Sequence, residues 1–502
     1  MMKFKKIICL LFAFVVLNAC TSDFEEMNTN PRTVNEDRIN VDFLLTRALV
    51  YGALRYNIYQ RSNELFPNTF MQYHAISVNY FETGRYIHRD DWATAYYNWV
   101  YTEPGTNTNQ IISLTQEDPQ KINQTAIARI WKVFMMHRMT DFFGDVPYFG
   151  AFTGNAKPAF DRQEEIYKDM LNELKEAAEA LDPSITGSSL RFDASDVLYN
   201  DDLDKWERFA NSLRLRLAMR ISDVEPALAE QHVREVLNEG MIITSNDESA
   251  RLITFGGSDV VIDNKNPISV LSRIFTQEYR MSRLIMEWLT DYDDPRLPVY
   301  ADPAANTGEF TGLTNGLSIG EIDAIDIDDF SKDGIFVARE DYPIDLMLYS
   351  EVKFLEAEAA LKGWGPGNAG EHYELGIRAS MEQYEITDDD AIDTYIEQTD
   401  IAYDPAMAME QIISQKWLAL FNNGFEAWSE YRRTGYPVVY EIATPQESET
   451  GGKVPVRAKY PAILQSLNRE GYDQAVQQQG PDLLTTRMWW DVNEETDNQK
   501  PL

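Results

Sequence analysis

Hydrophobic spacing of three and four residues recurs along most of this chain, and it constrains the fold more than any other feature. Ile166, Met170, Leu174, Ala178 and Leu181 form one stripe with polar residues between them. That is the signature of an amphipathic helix lying on a core. Asp161-Arg162-Gln163-Glu164 reads as its capping start, and Asp182-Pro183 as its end. Phe209, Leu213, Leu217 and Ile221 give a second stripe, with Arg214, Arg216 and Arg220 off it. Ile127, Trp131, Phe134 and Arg138 give a third. Residues 345–361 form a fourth, through Leu348, Val352, Leu355 and Ala359, stopped at Gly363. Ile412, Lys416 and Leu420 mark a fifth. The fold class is therefore mostly α. Small residues at Ala357, Ala359 and Ala360, then Gly363-Trp364-Gly365-Pro366, then a second helix over 369–384, suggest tetratricopeptide-like hairpins without a strict repeat.

Two stretches break this pattern. Residues 60–110 and 241–345 are irregular, apart from helical spacing over Ser269 to Leu289. The first is rich in aromatics and the second in Gly, Asn, Asp and Pro. Long irregular segments in a compact protein commonly carry function, so ligand contacts are expected there.

The N-terminus is a separate matter. Lys3, Lys5 and Lys6 precede an apolar run from Ile7 to Leu17, then Asn18-Ala19-Cys20. A basic head, a short apolar core and a small residue before a cleavage point form a secretory signal. The run is too short for a membrane span, which needs about 20 residues. Cys20 after Ala19 makes the site a lipobox, so Cys20 is the expected lipidation site. The alternative is an ordinary signal peptide with an incidental Cys. The expected division is a signal peptide over 1–19, an acidic linker and N-terminal segment over 20–40, and one domain over 41–502. The chain has only two cysteines, Cys9 and Cys20. Cleavage would leave one, so neither an internal disulfide nor a zinc–thiolate site is expected.

Charge excludes a class of partners. Asp and Glu number 81 against 45 Lys and Arg, a net charge of −36. Phosphate binding needs a basic face, so nucleic acid is not an expected partner. The expected membrane contact is through the N-terminal lipid alone. The chain shows no phosphate-binding loop and no HExxH spacing for its five histidines. No catalytic residue, metal or cofactor is expected. Asp323, Asp326, Asp328, Asp329 and Asp333 are close enough to suggest calcium. Phe330 stands where a loop of that type needs a third ligand, so the cluster reads as a solvated acidic loop. Arg432-Arg433 behind Glu426 and Trp428 reads as a helix end held by ion pairs and stacking.

A series of segments in order resembles the SusD/RagB family of outer-membrane lipoproteins. They are Met27-Asn28-Thr29-Asn30-Pro31, Thr140-Asp141-Phe142-Phe143-Gly144-Asp145-Val146-Pro147-Tyr148, Ala210-Asn211-Ser212-Leu213-Arg214-Leu215-Arg216 and Asp294-Pro295-Arg296-Leu297-Pro298. Glu426-Ala427-Trp428, Arg432-Arg433-Thr434-Gly435 and Trp489-Trp490-Asp491 follow. Val456-Arg457-Ala458-Lys459 departs from the family's fuller Pro-Arg-Arg run. The resemblance implies a SusD-like fold, with tetratricopeptide-like hairpins on one side and a loop-rich, ligand-facing half on the other. It implies a non-catalytic, lipid-anchored outer-membrane protein that faces the cell exterior. Such a protein passes an oligosaccharide or polysaccharide to a SusC-like TonB-dependent transporter. A peptide ligand, or a lid with no ligand of its own, are the alternatives. The candidate binding residues are Asn79, Tyr80, Phe81, Arg85, Tyr86 and Trp92 in the first irregular stretch, and Tyr300 and Phe310 in the second. For each aromatic the competing expectation is burial in the core.

Overall fold

The computed structural model describes residues 39–53, 55–274, 277–492 and 498–502. Asp42–Leu502 forms one compact unit; the other, Met1–Val41, lies almost wholly outside the described residues, as does Cys20. The helices are α1 (Val41–Gly52), α2 (Asp90–Thr102), α3 (Pro104–Thr115), α4 (Ile122–Phe143), α5 (Gln163–Glu179), α6 (Leu203–Arg220) and α7 (Pro226–Glu239). They continue as α8 (Arg283–Asp291), α9 (Tyr349–Leu361), α10 (Ala369–Gln383), α11 (Asp389–Ile396), α12 (Ala408–Ala419), α13 (Gly424–Thr434) and α14 (Arg469–Gln479). Among the described residues no helix is long and apolar enough to cross a membrane.

From α3 to α7 each helix packs on the next in sequence, and α9 packs on α10 and α12. The stripes read from the sequence face the core. Ile166, Met170 and Leu174 of α5 and Phe209, Leu213 and Leu217 of α6 are fully buried. The α9–α10 hairpin closes tightly because Gly376 has no side chain; a Cβ there would lie 2.7 Å from the Phe354 ring. Its turn uses Gly363 at φ +73°, a conformation that glycine adopts without steric cost. Phe354, Tyr373, Ile377, Ile392 and Ile412 join α9 to α12 in one apolar cluster.

The start of α5 differs from the sequence expectation. Asp161 is not its cap. That carboxylate accepts the Tyr148 and Phe149 backbone N–H groups instead, at 2.7 and 2.8 Å. Asp145 takes over, accepting the Gln163 N–H at 2.8 Å. The arginines off the α6 stripe do not face solvent. Arg214, Arg216 and Arg220 are all buried, because α6 lies at the centre of the bundle with neighbours on every side. Arg216 pairs with Glu351 of α9 at 2.6 Å, and Arg220 with Asp141 of α4 at 3.0 Å and Glu426 of α13. Lys416 sits within 3.6–3.9 Å of Glu351, Glu426 and Glu430. Arg432 stacks on Trp428 at 3.7 Å and Arg433 pairs with Glu358, as the ion-paired helix end implied.

The irregular stretches hold more structure than expected. Within 60–110 lie a π-helical segment, Gln60–Asn68, the whole of α2, and the start of α3 with Pro104 at its first turn. Conversely, Ser269 to Leu289 is not one helix. Short helical turns over 267–274 give way to a strand, and α8 begins only after Ser282, whose Oγ accepts the Leu284 N–H. The strands are β1 (His74–Ile76), β2 (Ala250–Leu252), β3 (Tyr279–Met281), β4 (Ala301–Asp302), β5 (Lys332–Asp333), β6 (Ile344–Met347), β7 (Val439–Tyr440) and β8 (Gln499–Lys500). They form four two-stranded ribbons, β1–β3, β2–β6, β4–β5 and β7–β8. The β1–β3 ribbon is antiparallel, with Ala75 opposite Arg280, and it brings the two irregular stretches together.

A buried charge group locks that junction. His74 Nδ1 lies 2.8 Å from Glu64 Oε1, and its Nε2 donates to Asp333 Oδ1 at 3.0 Å. All three side chains are inaccessible. Asp333 is thus a core residue and not part of the solvated acidic loop. Burial alone would lower the His74 pKa, but the two carboxylates raise it to about 10.

Candidate ligand-binding face

The β1–β3 ribbon sets the geometry of this face. Just beyond β1, Ser77 donates its N–H to Glu278 O at 3.1 Å and its Oγ to Gln277 O at 2.7 Å. The chain then turns outward through Asn79, Tyr80 and Phe81. The 304–331 segment is drawn to the same edge: Met281 N–H donates to Ser331 O at 2.9 Å, and Arg280 Nε donates to Ile327 O at 2.8 Å. Asn79 Nδ2 crosses the gap to Asp323 Oδ1 at 2.8 Å. Most of the acidic loop is held in this way, since Arg280 also reaches Asp328 and Asn306 donates to Asp329. Among the described residues no acidic, His or Cys group is arranged to hold a metal.

Tyr80 is the exposed element of this face, with 54% of its surface accessible. Its ring meets Phe81 edge-on at 4.7 Å, and Phe81 meets Trp92 edge-on at 5.1 Å. Trp92 in turn meets Phe66 at 6.3 Å in the core. The rings form a ladder that anchors Tyr80 from below. Arg89 braces it: its guanidinium lies 4.4 Å over Trp92, and it donates to Tyr80 O at 3.4 Å, Glu82 Oε2 at 3.2 Å and Asp91 Oδ1 at 3.0 Å. Partial burial and the Glu278 carboxylate hold the Tyr80 phenol above its ordinary pKa, so it is a neutral hydrogen-bond donor in neutral solution. Burial also raises the pKa of Glu278, which accepts from Gln60. An exposed ring rimmed by an amide and carboxylates can stack on an apolar ligand face and orient it.

The structure separates the sequence candidates. Asn79, Tyr80 and Phe81 stand together on the surface edge. Trp92 is 7% exposed and supports Phe81 without presenting a face of its own. Arg85 is buried and bonded to Glu447 at 2.6 Å, so its guanidinium is already committed. Tyr86, at φ +57°, turns inward against Phe70 at 5.4 Å and is 1% exposed. Tyr300 is inaccessible, stacked on Phe421 at 4.3 Å, with its hydroxyl donated to Leu418 O at 2.9 Å. The expected surface role for Arg85, Tyr86, Trp92 and Tyr300 therefore does not match their burial, because each finds its partners inside. Phe310 is half-buried on the loop before β5. Sequence reasoning missed Arg89 and Glu278, and read Asp323 only as part of a solvated acidic loop. Of these only Arg89 left a signal, three residues before Trp92 at the start of a helix.

A separate cleft of about 480 Å³ has walls from Tyr97, Tyr101, Phe152, Leu464 and Leu467. Its polar groups are largely spent internally: Tyr101 Oη donates to Pro147 O, Thr106 Oγ1 to Tyr101 O and Asn468 Nδ2 to Pro158 O. It is roomy but offers few free hydrogen-bonding groups, which suits a polyhydroxylated ligand poorly.

Comparison with known proteins agrees with this architecture. One solved structure, titled a chitin-binding protein, is 31% identical, covers 90% of this chain and 100% of its own, and superposes with a TM-score of 0.81. A chitin-binding SusD homologue from Flavobacterium johnsoniae is 30% identical, covering 91% of this chain and 99% of its own, with a TM-score of 0.80. A SusD homologue from Bacteroides uniformis is 25% identical over 91% of this chain and 100% of its own, at 0.81. No match appeared among curated proteins. Residues 33–461 match the SusD-like family described as starch-binding and associating with the outer membrane. With the match covering most of the sequence and the fold superposing throughout, this chain belongs to the SusD-like family of non-catalytic binding proteins.

Proposed function

We propose that this protein is a cell-surface lipoprotein that captures an oligosaccharide on the Tyr80 face and passes it to a SusC-like TonB-dependent transporter. The ligand class we propose is the β-linked N-acetylglucosamine oligomer of chitin. The observation that carries the reading is the exposed Tyr80 ring, braced by Phe81 and Arg89 and rimmed by Asn79 and Glu278. A flat ring matches the apolar face of a pyranose, and the rim groups can bond its hydroxyl and acetamido groups. The chitin-binding titles of two similar structures support the sugar class. The strongly negative charge suits a neutral glycan and disfavours anionic ones. Cys20 behind Ala19 supports the lipid anchor, and the family's association with the outer membrane supports the location.

The test is calorimetry of the mature chain against chito-oligosaccharides, malto-oligosaccharides and basic peptides. Binding of the first, with Tyr80→Ala weakening it, is the expected result. Binding of peptide alone would replace the glycan reading, and binding of malto-oligosaccharide alone would change the sugar.

A further inference from the structure

Between α4 and the turn that joins α12 to α13, the core holds a cation without a partner. Arg138 projects from α4 and is 6% exposed. Its guanidinium lies over Phe134 at 4.4 Å and near Phe425 at 5.4 Å. Among the described residues no carboxylate reaches it within ion-pair distance, and no protein oxygen accepts from it. Its neighbours are different. Arg216 and Arg220 are paired with buried carboxylates. Arg432 spends its guanidinium on Trp428 O, Asp141 O, Val456 O and Ser429 Oγ. Burial lowers the Arg138 pKa to about 10, and Arg216 pushes it the same way. Glu426, the negative charge that acts on it, is bonded to Arg220. A buried charge left unpaired is costly, so a counter-charge should be present.

Arg138 lines a cavity of about 40 Å³, beside Tyr59, Phe421, Asn423 and Phe425. On that scale one water takes about 10–15 Å³. The space admits a few waters or one ion of chloride size, and no sugar ring. Two more polar atoms of this wall are buried and unpaired, Asn423 Nδ2 and Asn422 Oδ1. The amide of Asn422 can be turned about so that its N–H₂ faces the cavity. Asn423 and Arg138 also line the void beneath, with His137, Arg216, Asp141 and Glu426, and both carboxylates there are bonded to Arg220. The remaining carboxylate of the wall, Asp345, is taken by Arg251, whose Nε donates to it at 2.7 Å.

We propose that this cavity binds one small monovalent anion of chloride size, held by the Arg138 guanidinium and the Asn423 amide. The site is independent of the glycan face, and its anion ties α4 to the 420–425 turn. Crystals of the mature chain grown in sodium bromide, with data collected at the bromine edge, test it directly. An anomalous peak within about 3.5 Å of the Arg138 and Asn423 nitrogens is expected. The melting temperature should also rise with chloride at an ionic strength fixed by gluconate, because a ligand of the folded state stabilises it. Arg138→Gln and, as a milder change, Asn423→Leu should lose that rise. Water alone in the cavity, with equal melting temperatures in chloride and gluconate, would overturn the proposal. So would a bromide peak that persists unchanged in Arg138→Gln.

Discussion

Arg433 of α13 and Glu358 of α9 meet in a two-pronged ion pair, with Nη1 to Oε1 and Nη2 to Oε2 both 2.6 Å, and neither side chain is exposed. The planar fork of Arg matches a carboxylate in a way that Lys does not. Arg433 also donates to Glu430 one turn back at 2.6 Å, so the pair fixes the end of α13 against the α9–α10 hairpin. Glu358→Ala should cost about 3 kcal/mol, the low end for a broken buried pair, because the cation keeps only Glu430. Chemical denaturation measures this; a loss near zero would mean that solvent reaches the pair.

The α6 stripe gives a second prediction. Leu213 and Leu217 are inaccessible, packed in the centre of the bundle. Either Leu→Ala change should cost roughly 2–5 kcal/mol through lost burial and the cavity left behind. Losses within about 0.5 kcal/mol, the range of surface sites, would contradict the packing described.

His74 makes stability depend on pH in a defined direction. Its folded pKa, lowered by burial but raised further by Glu64 and Asp333 to about 10, lies above the ordinary value of about 6.5. A raised pKa contributes stability that is fully present below the unfolded value and is lost as pH rises through the folded one. The melting temperature should therefore fall between pH 7 and 10 more steeply in the wild type than in His74→Gln. On the acid side, His74 holds the Asp333 pKa low against the effect of burial, so that contribution disappears as pH falls below the ordinary carboxylate range. Parallel pH profiles for wild type and His74→Gln would show that His74 is not charged.

Two aromatic changes should separate function from packing. Tyr86→Ala removes a buried ring and should destabilise by about 3–5 kcal/mol. Tyr80→Ala removes an exposed ring and should leave the melting temperature nearly unchanged.

The contrast between those two tyrosines shows where the sequence becomes opaque. Tyr80 and Tyr86 sit six residues apart in the same polar, aromatic stretch. What divides them is the short helical turn Glu82–Arg85 and the left-handed backbone at Tyr86, which swings that ring onto Phe70. No local pattern encodes that swing. The helices were legible because each buries one stripe at a fixed period, as Ile166, Met170 and Leu174 do. The burial of the α6 arginines was illegible for a related reason. A helix with neighbours on every side buries its polar face as well, and the partners of Arg216 and Arg220 lie far along the chain at Glu351 and Glu426. Asn79 and Asp323 likewise meet only because β1 pairs with β3.

Tyr80 is the proposed platform for the glycan. Calorimetric titration of chito-oligosaccharide into wild type and Tyr80→Ala, with both melting temperatures recorded, tests it most directly. Measurable binding by the wild type is expected, with a loss of about tenfold or more in Tyr80→Ala, roughly 1.4 kcal/mol, at unchanged melting temperature. Equal affinity in the two proteins would place the binding site elsewhere.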